Sequence, residues 1–340
     1  MYNNNPFRIK LFSLFLLLLI INMATVASLS INHKNMTNTF FMTEDTFYVD
    51  DDFNESTVGW GIFRFDKVQD AVDSASNGDN IYVYNGTYFE NVHINKSLNL
   101  FGEDKFSTII DASNNGRVIS IVENDNLVEG FTIKNSGGYI EDAGIYIKSY
   151  FNNIFNNIII ENQNGIYLID SKTNTISHNT INNCDYGIHV INSNFIQILE
   201  NSITNNKYGL YMQESSTNDF NSNIVENNEL GFWFKLYCFD NSIAGNSFKK
   251  NSDKGLYMDR FCYNNILHHN NFINNNVHAT FSMSFLNTWE YNYWDNWIGL
   301  EVEEYRIFPK GIFGKILGPI PWINFDLYPL VEPSSTGPPG

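Results

Sequence analysis

The sequence predicts an all-β protein, a parallel β-helix of about nine coils of ~22 residues. Three observations carry that prediction. A Gly-apolar-ring-apolar motif recurs as GIYI at Gly144, GIYL at Gly165, GIHV at Gly187, GLYM at Gly209, GFWF at Gly231 and GLYM at Gly255, with spacings of 21, 22, 22, 22 and 24. The segments between carry strand-type alternation and no helical period. Residues 7–308 contain no proline, although the chain has eight. That suits continuous strand ladders, which need every backbone N–H.

The elements follow in chain order. Residues 1–27 read as a secretory signal: Arg8 and Lys10 form a charged start, and the apolar run Leu11–Ile21 is too short to span a bilayer. Residues 28–46 read as an N-terminal linker and 47–278 as the β-helix. Within it, Phe65, Val68, Ala71, Val72 and Ala75 form a helical stripe over 65–76, stopped by Asn77-Gly78. A helix there would cap the open end of the first coil, because an exposed terminal coil presents unpaired edges. Strands follow at 81–84, 88–94 and 98–102. Residues 279–333 lose the glycine repeat and gain Trp289, Trp294, Trp297 and Trp322 with several prolines, which predicts an aromatic C-terminal cap. The tail, 334–340, reads as disordered.

Stacking coils ~4.8 Å apart places equivalent residues in columns. Ile145, Ile166, Ile188, Leu210, Phe232 and Leu256 form one inward column, and Ile147, Leu168, Val190, Met212, Phe234 and Met258 a second. Each coil then buries about five such side chains at roughly 1.5–3 kcal/mol apiece. The chain has 53 asparagines. Asn179, Asn201, Asn223, Asn246 and Asn270 share a corner column, where asparagine tolerates left-handed backbone and can bond its amide to the coils above and below. The pairs Asn182–Asn183, Asn205–Asn206 and Asn227–Asn228 mark another corner. Cys238 and Cys262 fall at the same offset after their glycines, one rung apart and within disulfide reach, so a bridge is expected, with Cys184 free.

Charge narrows the function. Twenty Lys+Arg against 37 Asp+Glu give −17, and loss of the leader, with its two cations, makes −19. No basic surface for nucleic acid is expected. No second hydrophobic run qualifies as a membrane span after signal cleavage.

Residues 65–104 resemble the opening segment of right-handed β-helix proteins of the pectin lyase-like superfamily. The repeats at 144–278 resemble the NosD-type family, named for periplasmic proteins that assist copper loading of nitrous oxide reductase. Archaeal cell-surface and secreted β-helix proteins are similar in layout, with a YVDDD-like start (Tyr48–Asp52) and a closing NYWD (Asn292–Asp295). The resemblance spans about residues 47–333 and implies a right-handed helix in a secreted or cell-surface protein. The Asp-Pro-His, Asp-Asp and Gly-His-Gly signatures of the enzymes in this superfamily do not occur. Where relatives carry a glycine-rich acidic stretch after NYWD, this chain has IGLEVEEYRIFPKG.

The strongest binding signal is an outward ring column, Tyr146, Tyr167, His189, Tyr211, Trp233 and Tyr257, which would form a stripe about 24 Å long suited to sugar faces. Cross-strand stacking for stability alone is the alternative reading. Asp170 and Glu214, two coils or ~10 Å apart, are the weak catalytic candidates, near the upper limit for an inverting pair. No metal site is assigned. His178 and His269 lie ~19 Å apart, and His268 and His269, as strand neighbours, should face opposite ways. No cofactor is expected: copper has no visible ligand set, and calcium, which would need clustered carboxylates, stays open. The leading reading is an exported, non-catalytic binder of a polysaccharide or cell-surface glycan. A polysaccharide lyase, hydrolase or epimerase is the second class, and a structural envelope protein or copper accessory protein the third.

Overall fold

A computed structural model describes residues 45–297, 301–302, 305–306, 308–315 and 320–335. The leader, nearly all of the linker and residues 336–340 lie outside them. The chain is a right-handed parallel β-helix. Each coil lays one strand on each of three faces, and strands pair in parallel register from coil to coil. One face holds ten strands, so the solenoid has about ten coils. The glycine face carries the longest strands, among them Asn164–Ile169, Tyr186–Ile191, Tyr208–Gln213, Leu230–Lys235 and Lys254–Asp259.

The repeated glycines are set by the stacking distance itself. A Cβ on Gly187 would lie 2.5 Å from the carbonyl oxygen of Gly209 in the next coil, and the same clash recurs along the column. Both predicted inward columns are fully buried. The core thickens toward the C-terminus: Ile181, Ile203 and Val225 give way to Phe248, Phe272 and Trp294 on the ten-stranded face. Phe272 stacks on Trp294 with centroids 4.3 Å apart.

The predicted capping helix is α1, Val68–Ser74, shorter than its apolar stripe because Phe65 enters a strand. Val68, Ala71 and Val72 bury against the first coil. The Glu90 carboxylate accepts the N–H groups of Val68 and Gln69 at 2.8 and 2.9 Å. Lys96 Nζ donates to the carbonyls of Val72, Asp73 and Ala75. Both helix ends are thus satisfied by side chains of the coil they cover.

At the far end, parallel coils continue past residue 278: Thr288–Glu290 and Tyr293–Trp294 keep the register. Trp289 and Trp294 are therefore core residues of the last coil. A hairpin of Lys310–Lys315 and Pro321–Asp326 follows, with Trp322 half-exposed. No helix among the described residues is long and apolar enough to cross a membrane.

The corner asparagines form amide ladders. Along Asn157, Asn179, Asn201, Asn223, Asn246, Asn270 and Asn292, each Nδ2 donates to the next Oδ1 at 2.9–3.2 Å. The same Oδ1 accepts a backbone N–H from the coil below, as from Asn201 to Asn223 at 2.9 Å. The buried Asp326 carboxylate ends the ladder, accepting from Asn292 and from Trp294 Nε1. The left-handed residue of this corner is the one before the asparagine: His178, Glu200, Ser222, Gly245 and His269 have φ of 54–63°. At the second corner Asn183, Asn205 and Asn227 are left-handed, and Asn206 and Asn228 supply the ladder.

The expected Cys238–Cys262 bridge is absent; both are buried free thiols, as is Cys184. Cys238 and Cys262 continue a column of Ser171, Ser193 and Ser215, each of which donates to a carbonyl at the turn. Their thiols turn the same way, toward Met212 and Asp259 carbonyls at 3.4 and 3.2 Å.

Asn201→Ala would orphan the ladder groups of Asn179 and Asn223 and the Ile176 carbonyl. Unmet buried groups cost about 1–3 kcal/mol each, so a loss of at least ~3 kcal/mol is expected in denaturant unfolding. Exposed Asn153→Ser, outside the ladder and the left-handed positions, should change stability by less than about 0.5 kcal/mol.

Candidate functional site

The six predicted rings do share one column, in register from Tyr146 to Tyr257. Their exposure is not as expected. Tyr146, Tyr167, His189 and Tyr211 are only 3–7% exposed, and Trp233 and Tyr257 are half-buried. Two features cover the column. The Arg117 guanidinium lies 3.4 Å over the Tyr146 ring. A second row, Tyr186 and Tyr208, stands immediately before Gly187 and Gly209, with Tyr186 stacked 4.8 Å from His189. Reading the position before each glycine as its own column would have found it.

His189 sits between the Tyr167 and Tyr186 rings, with Tyr211 edge-on at 4.9 Å. Asn164 Nδ2 already donates to two carbonyls, so its Oδ1 is the acceptor and His189 Nδ1 the donor, at 2.8 Å. The bare Nε2 has no partner among the described residues. Burial lowers the His189 pKa to about 4 and raises the Tyr167 and Tyr211 phenols to about 12, so all three are neutral at pH 7.

What remains open on this face is a half-exposed strip of Tyr186, Tyr208, Trp233 and Tyr257. Lysines border it. Lys207 lies 5.4 Å over Tyr208, Lys235 5.2 Å over Trp233, and Lys254 5.6 Å over Tyr257. The strip runs into a cleft of about 440 Å³ lined by Tyr257, Thr280, Ser282, Phe313, Lys254 and Lys315. In a chain of charge −17, this is a local concentration of cations.

Asp170 and Glu214 are exposed corner residues with φ of 51° and 50°, separated by the coil that carries Asn192. Asp170 accepts from Asn192 Nδ2 at 2.8 Å and pairs with Lys148 at 3.4 Å. The Asn192 hydrogen bond first, and Lys148 after it, lower the Asp170 pKa, opposite to what a general acid needs. Glu214 accepts from Gln213 instead.

The histidines need one correction. His268 and His269 do not face apart: their Nδ1 atoms are 2.9 Å from each other. Strand alternation stops at His268, and His269 is left-handed at φ 55°, which swings its ring back. Burial, then the charge of His269, lower the His268 pKa. His178 pairs with Glu200 at 3.0 Å. Asp50, Asp51 and Asp52 bring three carboxylates within 4.8 Å of one another at the start of the first coil. The sequence reading passed over this trio as part of a motif.

The sequence profile of the family described as "Periplasmic copper-binding protein (NosD)" matches residues 72–259, over half of the chain. The chain belongs to the NosD family. Solved structures that share the fold include pectate lyase Pel9A, at 13% identity and TM-score 0.58 over 77% of this chain and 83% of that one. The A-module of mannuronan C-5 epimerase AlgE6 from Azotobacter vinelandii is similar at 13% identity and TM-score 0.53, over 66% and 71%. GH136 lacto-N-biosidase from Eubacterium ramulus is similar at 11% identity and TM-score 0.50, over 73% and 63%. No curated protein matches the chain.

The NosD description raises the question of copper, which takes imidazole nitrogen and thiolate sulfur. The three cysteines are committed to the core, and burial pushes Cys184 up to about 12. The His268–His269 pair brings two ring nitrogens together, but among the described residues no third histidine, cysteine or carboxylate ligand atom completes a group with them, so the residues present do not form a copper site.

His189 supplies a pH signature of the ring column. An unfolded histidine titrates near 6.5 and folded His189 near 4. As pH falls, the unfolded chain takes the proton first. Its contribution to stability is therefore complete above ~6.5 and lost between 6.5 and 4, by about 3 kcal/mol. Denaturant unfolding of His189→Gln, which keeps a donor for Asn164, should show a correspondingly shallower slope across that window.

Proposed function

We propose that this NosD-family chain is an exported, secreted or cell-surface protein that binds a carbohydrate along its glycine face without transforming it. The observation that carries the reading is the half-exposed strip of Tyr186, Tyr208, Trp233 and Tyr257 with Lys207, Lys235 and Lys254 over its rings. The rings stack or tilt on one another, Tyr186 on Tyr208 at 5.0 Å and Trp233 on Tyr257 at 6.2 Å, so they form an apolar ridge against which the C–H faces of sugars can pack, and lysines beside them suit hydroxyls and carboxylates. The parallel coils repeat at ~4.8 Å, close to the length of a sugar unit, so an extended chain lying along the strip would meet a ring about once per coil. Two structural neighbours, a pectate lyase and a mannuronan epimerase, make acidic polysaccharide the first class to try.

The non-catalytic part of the reading rests on the carboxylates. Asp170 is held ionised by Asn192 and Lys148, and it faces a corner rather than the strip. The buried members of the predicted column support the strip from beneath.

The experiment is retention on immobilised polygalacturonate, alginate and a neutral glucan, with new reducing and unsaturated ends scored on the same samples. Binding without product is expected. Trp233→Ala and Tyr257→Ala should each weaken retention about 10-fold, matching the loss of 1–1.5 kcal/mol of ring contact. Tyr167→Ala should lower thermal stability instead. Product formation, or equal retention by a Trp233→Ala/Tyr257→Ala double variant, would overturn the proposal.

A further inference from the structure

The two ends of the solenoid are finished differently. At the N-terminal end α1 covers the first coil and leaves Asp70, Asp73 and Ser74 in solvent. At the C-terminal end the hairpin of Lys310–Lys315 and Pro321–Asp326 follows the last coil, with Ile312 and Asp326 buried beneath it. The strand Pro321–Asp326 pairs antiparallel with Lys310–Lys315 along one edge. On its other edge only Asp326 meets a strand, at Trp289. Among the described residues, Pro321 to Phe325 therefore form an open sheet edge.

Sheet edges are ordinarily blunted by lysines, by prolines within the strand, by bulges or by a covering element. This one reads PWINF, with its proline at the first position and no charge. Trp322 on one side of the sheet, and Ile323, Phe325 and the cross-strand neighbour Phe313 on the other, are 38–67% exposed, as is Leu327 just beyond the strand. Large side chains of roughly 200 Å² each, about half exposed, offer on the order of 500 Å² from these five residues. Two copies together reach the ~1,000 Å² that a specific interface needs, before backbone pairing is counted. Charge allows the contact. In a chain of −17, residues 308–315 and 320–328 carry Lys310, Lys315 and the buried Asp326, so self-repulsion is weak at this end.

We propose that this edge docks a second copy of the chain, whose own Pro321–Asp326 strand adds antiparallel across a two-fold axis. Each copy brings the same strand, so the backbone N–H and carbonyl groups left open in one meet those of the other. Ile323 and Phe325 then pack against their counterparts on one side of the joined sheet, and Trp322 on the other. The contact is tail to tail and closes at two copies. Head-to-tail growth would need an apolar N-terminal end, and that end presents carboxylates. A second copy also suits the edge better than a lipid surface, since a bilayer cannot pair open backbone groups and the acidic chain is repelled by anionic headgroups. The proposal is independent of carbohydrate binding, since none of its residues lies in the strip.

The test is sedimentation velocity of the purified full chain between ~1 and ~100 μM, the range in which a modest interface dissociates. A monomer–dimer equilibrium with no larger species is expected. Ile323→Lys and Phe325→Lys should each weaken the dimer at least ~100-fold, because the two-fold sets each new charge against its own copy. Phe89→Lys, exposed in the first coils, should leave the dimer unchanged. Far-UV circular dichroism should show all three variants folded, since the replaced side chains are exposed. Amide hydrogen exchange of the unsubstituted chain gives a reading that needs no variant: protection within Trp322–Phe325 should rise with concentration while that of α1 stays constant. A chain that is monomeric throughout, a dimer that survives both lysine substitutions, or species that grow beyond two copies would each overturn the proposal. So would a monomeric chain that sediments with phosphatidylcholine vesicles, which would assign the edge to lipid.

Discussion

Each corner of a parallel coil leaves backbone N–H and carbonyl groups that no strand can pair, and in this chain the asparagine ladders take them up. A single Asn amide does three things: its Oδ1 accepts a backbone N–H from the coil below, its Nδ2 donates to the Oδ1 above, and the same Nδ2 reaches a carbonyl across the turn. Asn201 makes all of these contacts. Such groups would cost about 1–3 kcal/mol each if buried without partners. The ladder is also directional, so it needs ends. Asp326 closes the continuous one with a carboxylate that only accepts, where another asparagine would bring two further N–H groups needing partners.

The same stacking that makes the ladders decides the fate of the ring column. Coils ~4.8 Å apart force rings into contact, and a ring in contact above and below loses most of its exposure. From Tyr146 to Trp233 three of the four neighbouring pairs meet edge-on, and Tyr167 stacks on His189. A bare imidazole nitrogen within that column is tolerated because His189 is neutral and surrounded by polarisable faces rather than by water. The row in front, Tyr186 and Tyr208, is held by the same register and keeps more of its surface open.

What the sequence makes legible is whatever repeats. The glycine spacing, the inward aliphatic columns and the Asn column are properties of a period, and each stands where the period puts it. Features created by departures from the period were harder to read. Ring burial depends on Tyr186 and Tyr208, which two coils carry and their neighbours replace with Asn164 and Leu230. The orientation of His269 depends on one left-handed residue at the end of a strand, and alternation says nothing beyond that end. The thiol pair was placed correctly, one rung apart. Each Sγ also reaches a turn carbonyl, as each serine hydroxyl in the column does.

These departures are also where function can vary at little structural cost. The ladders and inward columns fix the backbone of every coil, so an outward or corner position can change without disturbing its neighbours above and below. That separation accounts for fold neighbours at 11–13% identity: the shared constraint is on the few inward and corner positions, and everything facing out is free. In this chain the freedom is spent unevenly, with rings and lysines on the glycine face and imidazoles at one corner. The backbone under His268 and His269 is held by Asn246, Asn270 and Asn292 whether or not the histidines are present. A corner of this kind can therefore gain or lose a side chain with the fold unchanged, which makes the outward positions, coil by coil, the place to read what distinguishes one NosD-family chain from another.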